Sequence, residues 1–445
     1  MKRDVDILIF LEHLNRELDT ALLLKILLSS RGYSVKLASV YFDLWESVAT
    51  LRPDLLIVPW AYSEVKKYCR FFPQPEKGLR ILNLHHEQLG VESYMESHMA
   101  PSGEAEKVFH LAWGERFDRI LRARGVPPER IFRTGNPRLD FLRPDMRSFT
   151  PDREALGERY GLDPEKKWVF VVGNFSIVSV SDGFIRKKVR QGRADYPDAV
   201  RRIRALYERT LDWMERLAEE NRNIEVIYRP HPAERLTPQL LERVRRVSGL
   251  KLISDLPIGD WILQAESVFV WSSTSSVDAL AADRPVFALR RAEEGSSAFQ
   301  SGYFPILDDL PTVVDYEGFR EAASGGDRPS LHPRWAAAVT RYHEFYDTPA
   351  EPAFVGLERR IARIMETGEG ARFGRMPLPG ALEGFYRLQQ AGKRGLHSTG
   401  LMRFFKRYEK ETGERLLPAL VEEREAFLRD RLGNLPPVEE QSDPR

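Results

Sequence analysis

The stretch SVFVWSSTSSVDALAADRPVFAL, Ser267 to Leu289, decides the fold class. Ser267–Trp271, apolar from Val268 on, has strand length, Ser272–Ser276 are all hydroxyl-bearing, Val277–Ala282 has the length and spacing of a short helix, and Val286–Leu289 is a second apolar run. Strands that are apolar throughout belong to sheets covered on both faces, and a helix between two of them is the crossover of a parallel βαβ unit. Reading back towards the N-terminus, the alternation continues. Lys251–Ser254, Ile224–Tyr228 and Trp168–Val172 read as strands, separated by Pro238–Val247 and Asp198–Glu220 as helices. An α/β domain over 166–330 follows.

The same alternation fills the first third of the chain. Val5–Phe10, Tyr33–Ser39, Asp54–Pro59, Arg80–Leu84 and Val108–Trp113 read as strands, with Leu44–Thr50, Glu64–Arg70 and Glu115–Arg124 as helices. Leu18, Leu22 and Ile26 recur every four residues, and Gly32 stands where a helix stops, so a helix of about four turns follows the first strand. This predicts a Rossmann-like domain over 1–145. Between Arg143 and Lys166, Pro144, Pro151 and Pro164 among many charges predict a linker. Beyond residue 331 the periodicity is helical up to about 433, through Trp335–Tyr346, Phe354–Thr367, Leu382–Gln390, Met402–Thr412 and Leu417–Leu432, and 434–445 reads as a frayed tail. The fold expected is therefore α/β: two Rossmann-like domains facing a cleft, braced by C-terminal helices. Ligands of open parallel sheets bind at the carboxyl ends of the strands, which points to that cleft.

Composition limits the function. Over 445 residues, Lys+Arg 67 against Asp+Glu 66 leaves a net charge of +1, so no general positive field exists to collect nucleic acid. A single cysteine, Cys69, allows no internal disulfide and no thiolate zinc cluster, which fits a reducing compartment. The N-terminal apolar run is too short for a secretory signal and no stretch reaches the ~20 apolar residues of a membrane span, so a cytoplasmic protein is expected.

Two elements carry chemistry suited to phosphate. Strand Ile224–Tyr228 runs into Arg229-Pro230-His231-Pro232, where two prolines hold a cation and an imidazole in a stiff, extended turn. Arg grips phosphate bidentately, and His can donate to a phosphate or protonate a departing one. A turn whose His caps the next helix would look the same. Ser272, Ser273, Thr274, Ser275 and Ser276 crowd hydroxyls and backbone N–H groups at another strand's carboxyl end, more than one helix cap requires. The two elements together describe a pocket for a nucleotide monophosphate or diphosphate.

Arg229-Pro230-His231-Pro232 followed by Ser272–Val286 resembles the nucleotide-binding half of bacterial surface-polysaccharide glycosyltransferases of GT-B fold: capsule Kdo transferases, bacterial polysialyltransferases and teichoic-acid CDP-glycerol glycerophosphotransferases. The resemblance spans about Leu8 to Leu289. It implies that the His-Pro and Ser-rich elements meet the phosphate of a CMP- or CDP-linked donor, a nucleotide-sugar co-substrate without a further cofactor. It also implies substrate-binding roles for Asn174 and Ser176 in Gly173-Asn174-Phe175-Ser176 and for Asn136 in Thr134–Asp140, with a glycan or lipid-linked glycan as acceptor. Thr134–Asp140 is also similar to a segment of the UDP-hexosamine 2-epimerases of related fold, which makes epimerase the second enzyme reading. A third is a non-catalytic nucleotide-binding subunit of a polysaccharide assembly complex.

On the acceptor side, strand Arg80–Leu84 ends in His85-His86-Glu87-Gln88. A carboxylate there suits the base of an inverting transfer, so Glu87 is the candidate, although polysialyltransferases use an acidic pair followed by Gly and this chain offers Glu87 and then Gly90. His85 and His86 would point opposite ways, one packed and one in the cleft. His13, Arg16 and Glu17, in the first strand-to-helix turn, rim the same edge; Glu17 is the alternative base and Asn15 a candidate helix cap. Asp4-Val5-Asp6 precedes its strand and so stands at the wrong end for a metal-binding acidic motif, and no catalytic metal is expected. Leu401, Met402, Phe404 and Phe405 interleave with cations across 393–407, which fits either a helix packed on its own domain or a peripheral contact with the inner face of the cell membrane.

Overall fold

Apolar runs and their separating helices settle into two six-stranded sheets, every pairing of which is parallel. The structure is a computed structural model, and it describes residues 2–72, 78–88, 92–232, 234–290, 304–325, 333–374, 416 and 418–435. The chain divides into two compact units, Met1–Phe141 with His343–Arg445, and Leu142–Tyr342.

The first unit runs β1 (Arg3–Leu11), α1 (Leu14–Ser30), β2 (Val35–Ser39), α2 (Leu44–Thr50), β3 (Leu51–Val58), α3 (Val65–Phe71), β4 (Arg80–Asn83), α4 (Glu92–His98), β5 (Phe109–Ala112), α5 (Glu115–Ala123) and β6 (Ile131–Arg133). Its strand order is β2-β1-β3-β4-β5-β6, so the chain reverses its direction of travel across the sheet between β1 and β3. The second unit runs α6 (Arg153–Tyr160), β7 (Lys167–Val172), α7 (Asp182–Arg190), α8 (Tyr196–Glu220), β8 (Ile224–Arg229), α9 (Pro238–Arg246), β9 (Leu250–Leu252), α10 (Ile258–Gln264), β10 (Ser267–Val270), α11 (Ser275–Ala281), β11 (Val286–Leu289), α12 (Ile306–Asp309), β12 (Thr312–Val313) and α13 (Tyr316–Ser324). Its order is β12-β11-β10-β7-β8-β9, which puts the reversal between β7 and β10. Helices α14 (Pro333–Phe345), α15 (Ala353–Thr367) and α16 (Pro418–Asp430) follow. The expected helices at 382–390 and 402–412, the basic segment 393–407, Gly90 and the tail beyond 435 lie outside the described residues.

The segment read as a linker is a packed part of the second unit. Short helical turns at Pro144–Phe149 and helix α6 bury Met146, Phe149, Leu156 and Leu162, and Arg153 donates to the backbone oxygens of Pro164, Lys166 and Gln264. Prolines and charges dominate its composition, but its few apolar residues are spaced to face inward.

Helix α1 is covered nearly all round, which explains why polar Glu17 and Asp19 are buried along with its leucines. Gly32, at φ 91°, ends it with paired bonds from Gly32 N–H to Ser29 O and Tyr33 N–H to Leu28 O, the closure that a left-handed residue permits. Asn15 lies inside the helix, and His13 takes the cap position without a side-chain cap bond. Within this unit α16 packs on α1 through Lys25 to Glu425 at 2.5 Å and a forked pair from Arg424 to Asp19, at 2.9 Å from Nε and 2.5 Å from the terminal nitrogen. Both partners of that pair are buried. Removing one partner of a buried pair leaves an uncompensated charge, so Arg424→Ala should destabilise the first unit by about 3–5 kcal/mol. Thermal unfolding of the variant checks this: an unchanged midpoint would mean that α16 does not hold α1.

Candidate functional site

In the second sheet the strands β10, β7 and β8 are neighbours, and Val270, Val172 and Arg229 stand level in the register. The chain therefore leaves all three at one edge, on either side of the reversal between β7 and β10, where open parallel sheets take their ligands. Three turns meet there: Arg229–Pro232 after β8, Gly173–Ser176 after β7 and Ser272–Ser276 after β10. The sequence reading joined the first and third; β7 lies between them and supplies the second.

Asn174 stitches the reversal closed by donating from Nδ2 to the carbonyl oxygen of Ser272 at 2.6 Å. Ser272 sits at φ 48°, a left-handed conformation that costs a side-chain-bearing residue on the order of 1–3 kcal/mol unless its surroundings hold it. On the other side of β7, Glu234 is a buried hub. It accepts from the Tyr228 hydroxyl at 2.5 Å and from Phe175 N–H at 3.2 Å, while its own N–H donates to His231 O at 2.7 Å. Burial pushes its carboxyl above the ordinary range. Gly173 is required beside it, because a Cβ there would come within 2.5 Å of the Tyr228 hydroxyl and 3.0 Å of Glu234 Oε2. Glu234 escaped the sequence reading, since nothing local ties it to residues 173–175.

The predicted residues divide by what they are committed to. Arg229 is buried and gives one terminal nitrogen to Asp255 O and the other to Leu256 O, both at 2.7 Å, so these two donors shape the β9–α10 turn, where Leu256 is also left-handed at φ 62°. Burial brings its pKa down to about 10, which leaves it charged at neutral pH. His231 and Pro232 are exposed, and Ser176 is half-buried. Among the hydroxyls, Ser276 is buried and donates to Ser273 O at 3.1 Å, and Ser273 and Ser275 bond each other at 3.0 Å. Ser272 and Thr274 are half-buried, and their hydroxyls make no hydrogen bond among the described residues. The open donors at this edge are thus fewer than the five the sequence offers.

The first unit gathers a second cluster at its own carboxyl edge. Arg16 donates to Glu17 Oε1 at 3.1 and 2.8 Å, and its guanidinium lies 3.6 Å from Glu12 and 3.4 Å from Glu87. His13 stands 3.8 Å from Glu12, and His86 stands 3.7 Å from Glu17 Oε2. His13, Arg16, Glu17 and Glu87 are thus brought together, His86 is the one of the two adjacent histidines that joins them, and Glu12 is a member the sequence reading left out. Glu17 is buried, which works to raise its pKa, yet the imidazole, the guanidinium and the Glu12 N–H at 2.7 Å overcome this and hold it below the ordinary carboxylate range. Glu87 is open, its side chain 56% exposed. Burial pushes His86 down to about 4, so at neutral pH its contact with Glu17 is between a carboxylate and an uncharged imidazole.

His85 is the packed partner of the pair. At φ 48° it points inward, its N–H held by Asn83 Oδ1 at 3.1 Å. Its ring meets His110 Nδ1 at 2.7 Å, and His110 Nε2 donates to Ala105 O at 2.8 Å, which makes His110 Nδ1 the acceptor and His85 Nε2 the donor. Asn136 is buried too, its Oδ1 accepting Arg138 N–H at 3.1 Å in a local turn, while its Nδ2 meets no hydrogen-bond partner among the described residues.

No protein-family model matches the chain, and no curated protein does either. Solved structures do. The wall teichoic acid polymerase TagF, as a histidine-to-asparagine variant, superposes with a TM-score of 0.54 at 11% identity over 82% of this chain and 89% of that one, and the same variant soaked with CDPG gives 0.52 over the same shares. A UDP-N-acetylglucosamine 2-epimerase aligns at a TM-score of 0.48 and 13% identity, over 85% of this chain and all of that one. The chain has the GT-B fold: two Rossmann-like parallel sheets with further helices at the C-terminal end.

Two buried imidazoles, His85 and His110, and the half-buried His86 give the fold a pH signature. Burial lowers His86 and His110 to about 4 and His85 well below its ordinary 6.5. The unfolded chain therefore binds protons that the folded chain refuses. Stability is full above pH 6.5 and is lost as pH falls towards 4, with a slope that three such groups bring to at most about 4 kcal/mol per pH unit. Urea unfolding at a series of pH values measures it, and His110→Gln should lower the slope by about one proton. A stability independent of pH over that window would contradict the neutral, buried assignment.

Proposed function

We propose that the chain is a glycosyltransferase of surface-polymer synthesis that takes its sugar from a nucleotide-activated donor. What supports this reading is that the neighbouring strands β10, β7 and β8 end level at one edge, so that the turns carrying Ser272 and Thr274, Asn174, and His231 follow side by side, with Asn174 bound to Ser272 O. His231 and the two hydroxyls are the groups we assign to the donor's phosphate, with Glu234 N–H holding the His231 carbonyl in its turn and Arg229 fixing the neighbouring β9–α10 turn. A CMP- or CDP-linked donor, of the Kdo-like kind that the sequence resemblance implies, fits this assignment, and a fold shared with a polymerase soaked with CDPG supports it. The 166–330 region is then the donor domain, and 1–145 the acceptor side.

In the reaction, the acceptor hydroxyl attacks the anomeric carbon, a base takes its proton, and the bond to the nucleotide phosphate breaks. Charge grows on that phosphate as the bond breaks, so a His231 bond strengthens in the transition state. For the base, the first unit offers two groups. Glu87 is open to an acceptor, and His86 is uncharged with Glu17 behind it to steady the imidazolium that would form. Glu17 itself is buried and paired to Arg16, which makes it the less reachable base.

Charge-assisted hydrogen bonds are worth about 1.5–3 kcal/mol, so His231→Ala should weaken CMP and CDP binding roughly ten- to a hundredfold by calorimetry while leaving the melting temperature in place. A purely structural turn forecasts the reverse, with a lower melting temperature and unchanged affinity. Product analysis with UDP-hexosamine separates the epimerase reading, since release of the C2 epimer would replace the transferase assignment. Loss of the base typically costs about a hundred- to ten-thousandfold in turnover with donor affinity kept. Comparing Glu87→Gln, Glu17→Gln and His86→Ala identifies it, and normal turnover in all three would remove the first unit's cluster from the chemistry.

A further inference from the structure

Pro230 and Pro232 carry no N–H, so in Arg229-Pro230-His231-Pro232 the peptide of His231 holds the one backbone donor between Arg229 and residue 233. Glu234 takes it. Its carboxylate accepts the His231 N–H, and its own N–H donates to the His231 carbonyl oxygen at 2.7 Å, so His231 is held on both sides by one residue three positions further on. This is the reciprocal bonding of a helix capping box, made here ahead of any helix, since α9 starts only at Pro238. The backbone of His231 is fixed while the residue itself stays exposed.

The same carboxylate reaches the neighbouring turn. Phe175 N–H donates to Oε2 at 3.2 Å, and the Tyr228 hydroxyl donates to Oε1 at 2.5 Å. Phe175 follows Asn174, which is bonded to Ser272 O, so one line of contacts runs from His231 through Glu234 and the β7 turn to Ser272. Glu234 is buried, and a side chain with a carboxyl there costs free energy that an apolar side chain of similar volume would not. What the apolar side chain would lose is the hold on His231 and Phe175. Gly173 leaves the room for this contact, because a Cβ there would stand 3.0 Å from Oε2 and 2.5 Å from the Tyr228 hydroxyl.

We propose that Glu234 is a positioning residue for the donor's phosphate: by gripping the His231 peptide and the Phe175 N–H together, it sets where His231 stands relative to the Asn174 and Ser272 turns. The proposal rests on the assignment of His231 to that phosphate. Glu234 itself touches no ligand in it; its whole effect on the nucleotide passes through His231. A charge-assisted hydrogen bond to phosphate depends steeply on distance and angle, so a turn free to shift loses affinity even with its imidazole intact.

A double-mutant cycle on CDP binding tests it, by calorimetry on the full chain with each variant held below its own unfolding midpoint. Glu234→Leu fills similar space without an acceptor and should weaken CDP binding about tenfold. Glu234→Gln should stay within about twofold of the wild type, because an amide oxygen can take the backbone N–H groups while its NH2 donates to the Tyr228 hydroxyl. A residue that only fills space would give the two variants the same affinity. Adding Glu234→Leu to His231→Ala should cost no further affinity, since the first acts through the second. If Glu234→Leu does not fold, Gly173→Ala takes its place: the added Cβ displaces the carboxylate without changing its chemistry, and the same loss and the same non-additivity are expected. The proposal falls if Glu234→Leu binds CDP like the wild type while His231→Ala does not, if Glu234→Gln loses as much as Glu234→Leu, or if the losses multiply in the double variant. Unchanged affinity in His231→Ala alone overturns the phosphate assignment, and this proposal with it.

Discussion

Six parallel strands whose order reverses between β7 and β10 leave their chain ends at one edge, and the adjacent loops there must diverge. That constraint organises the second unit. Where the loops diverge, the backbone must be held in conformations that strands and helices do not supply. Asn174 holds left-handed Ser272 across the reversal, Arg229 holds left-handed Leu256, and Glu234 ties the β8 turn to the β7 turn. Each tie consumes a polar side chain, and what remains uncommitted is what a ligand can use.

The first unit repeats the device with other residues. His85 is left-handed after β4 and is supported by Asn83, as Ser272 is supported by Asn174. Turning His85 inward places its ring in the buried relay to His110 and leaves His86 and Glu87 to the Arg16–Glu17 cluster. Neighbouring residues in sequence thus take opposite duties, one ring packed and one beside a carboxylate. The same burial that keeps these imidazoles neutral is a liability in acid, so positioning and stability draw on one arrangement.

Much of this was legible in the sequence because parallel strands are buried on both faces and show as apolar runs: β7, β8, β10 and β11 stand within about a residue or two of where the runs place them. Strands β6 and β12, of three and two residues at sheet edges, carry too little pattern to see. Chemistry-bearing residues were legible by type and position, but not by commitment. Arg229 has the right chemistry for phosphate, and only the fold reveals that carbonyls at 255 and 256 take two of its donors. Ser275 and Ser276 are hydroxyls in the sequence and buried bonding partners in the structure. Glu234 and Glu12 were missed because their significance lies in contacts between separate turns, which no local spacing encodes.

The central claim is that the donor's phosphate lies at the β7–β10 reversal, and a crystal structure of the chain with CDP tests it most directly. The account predicts phosphate oxygens within hydrogen-bond distance of the His231 ring and of the Ser272 and Thr274 hydroxyls, with Arg229 still bound to the carbonyls of Asp255 and Leu256. A nucleotide whose phosphates lie away from all three turns would contradict it.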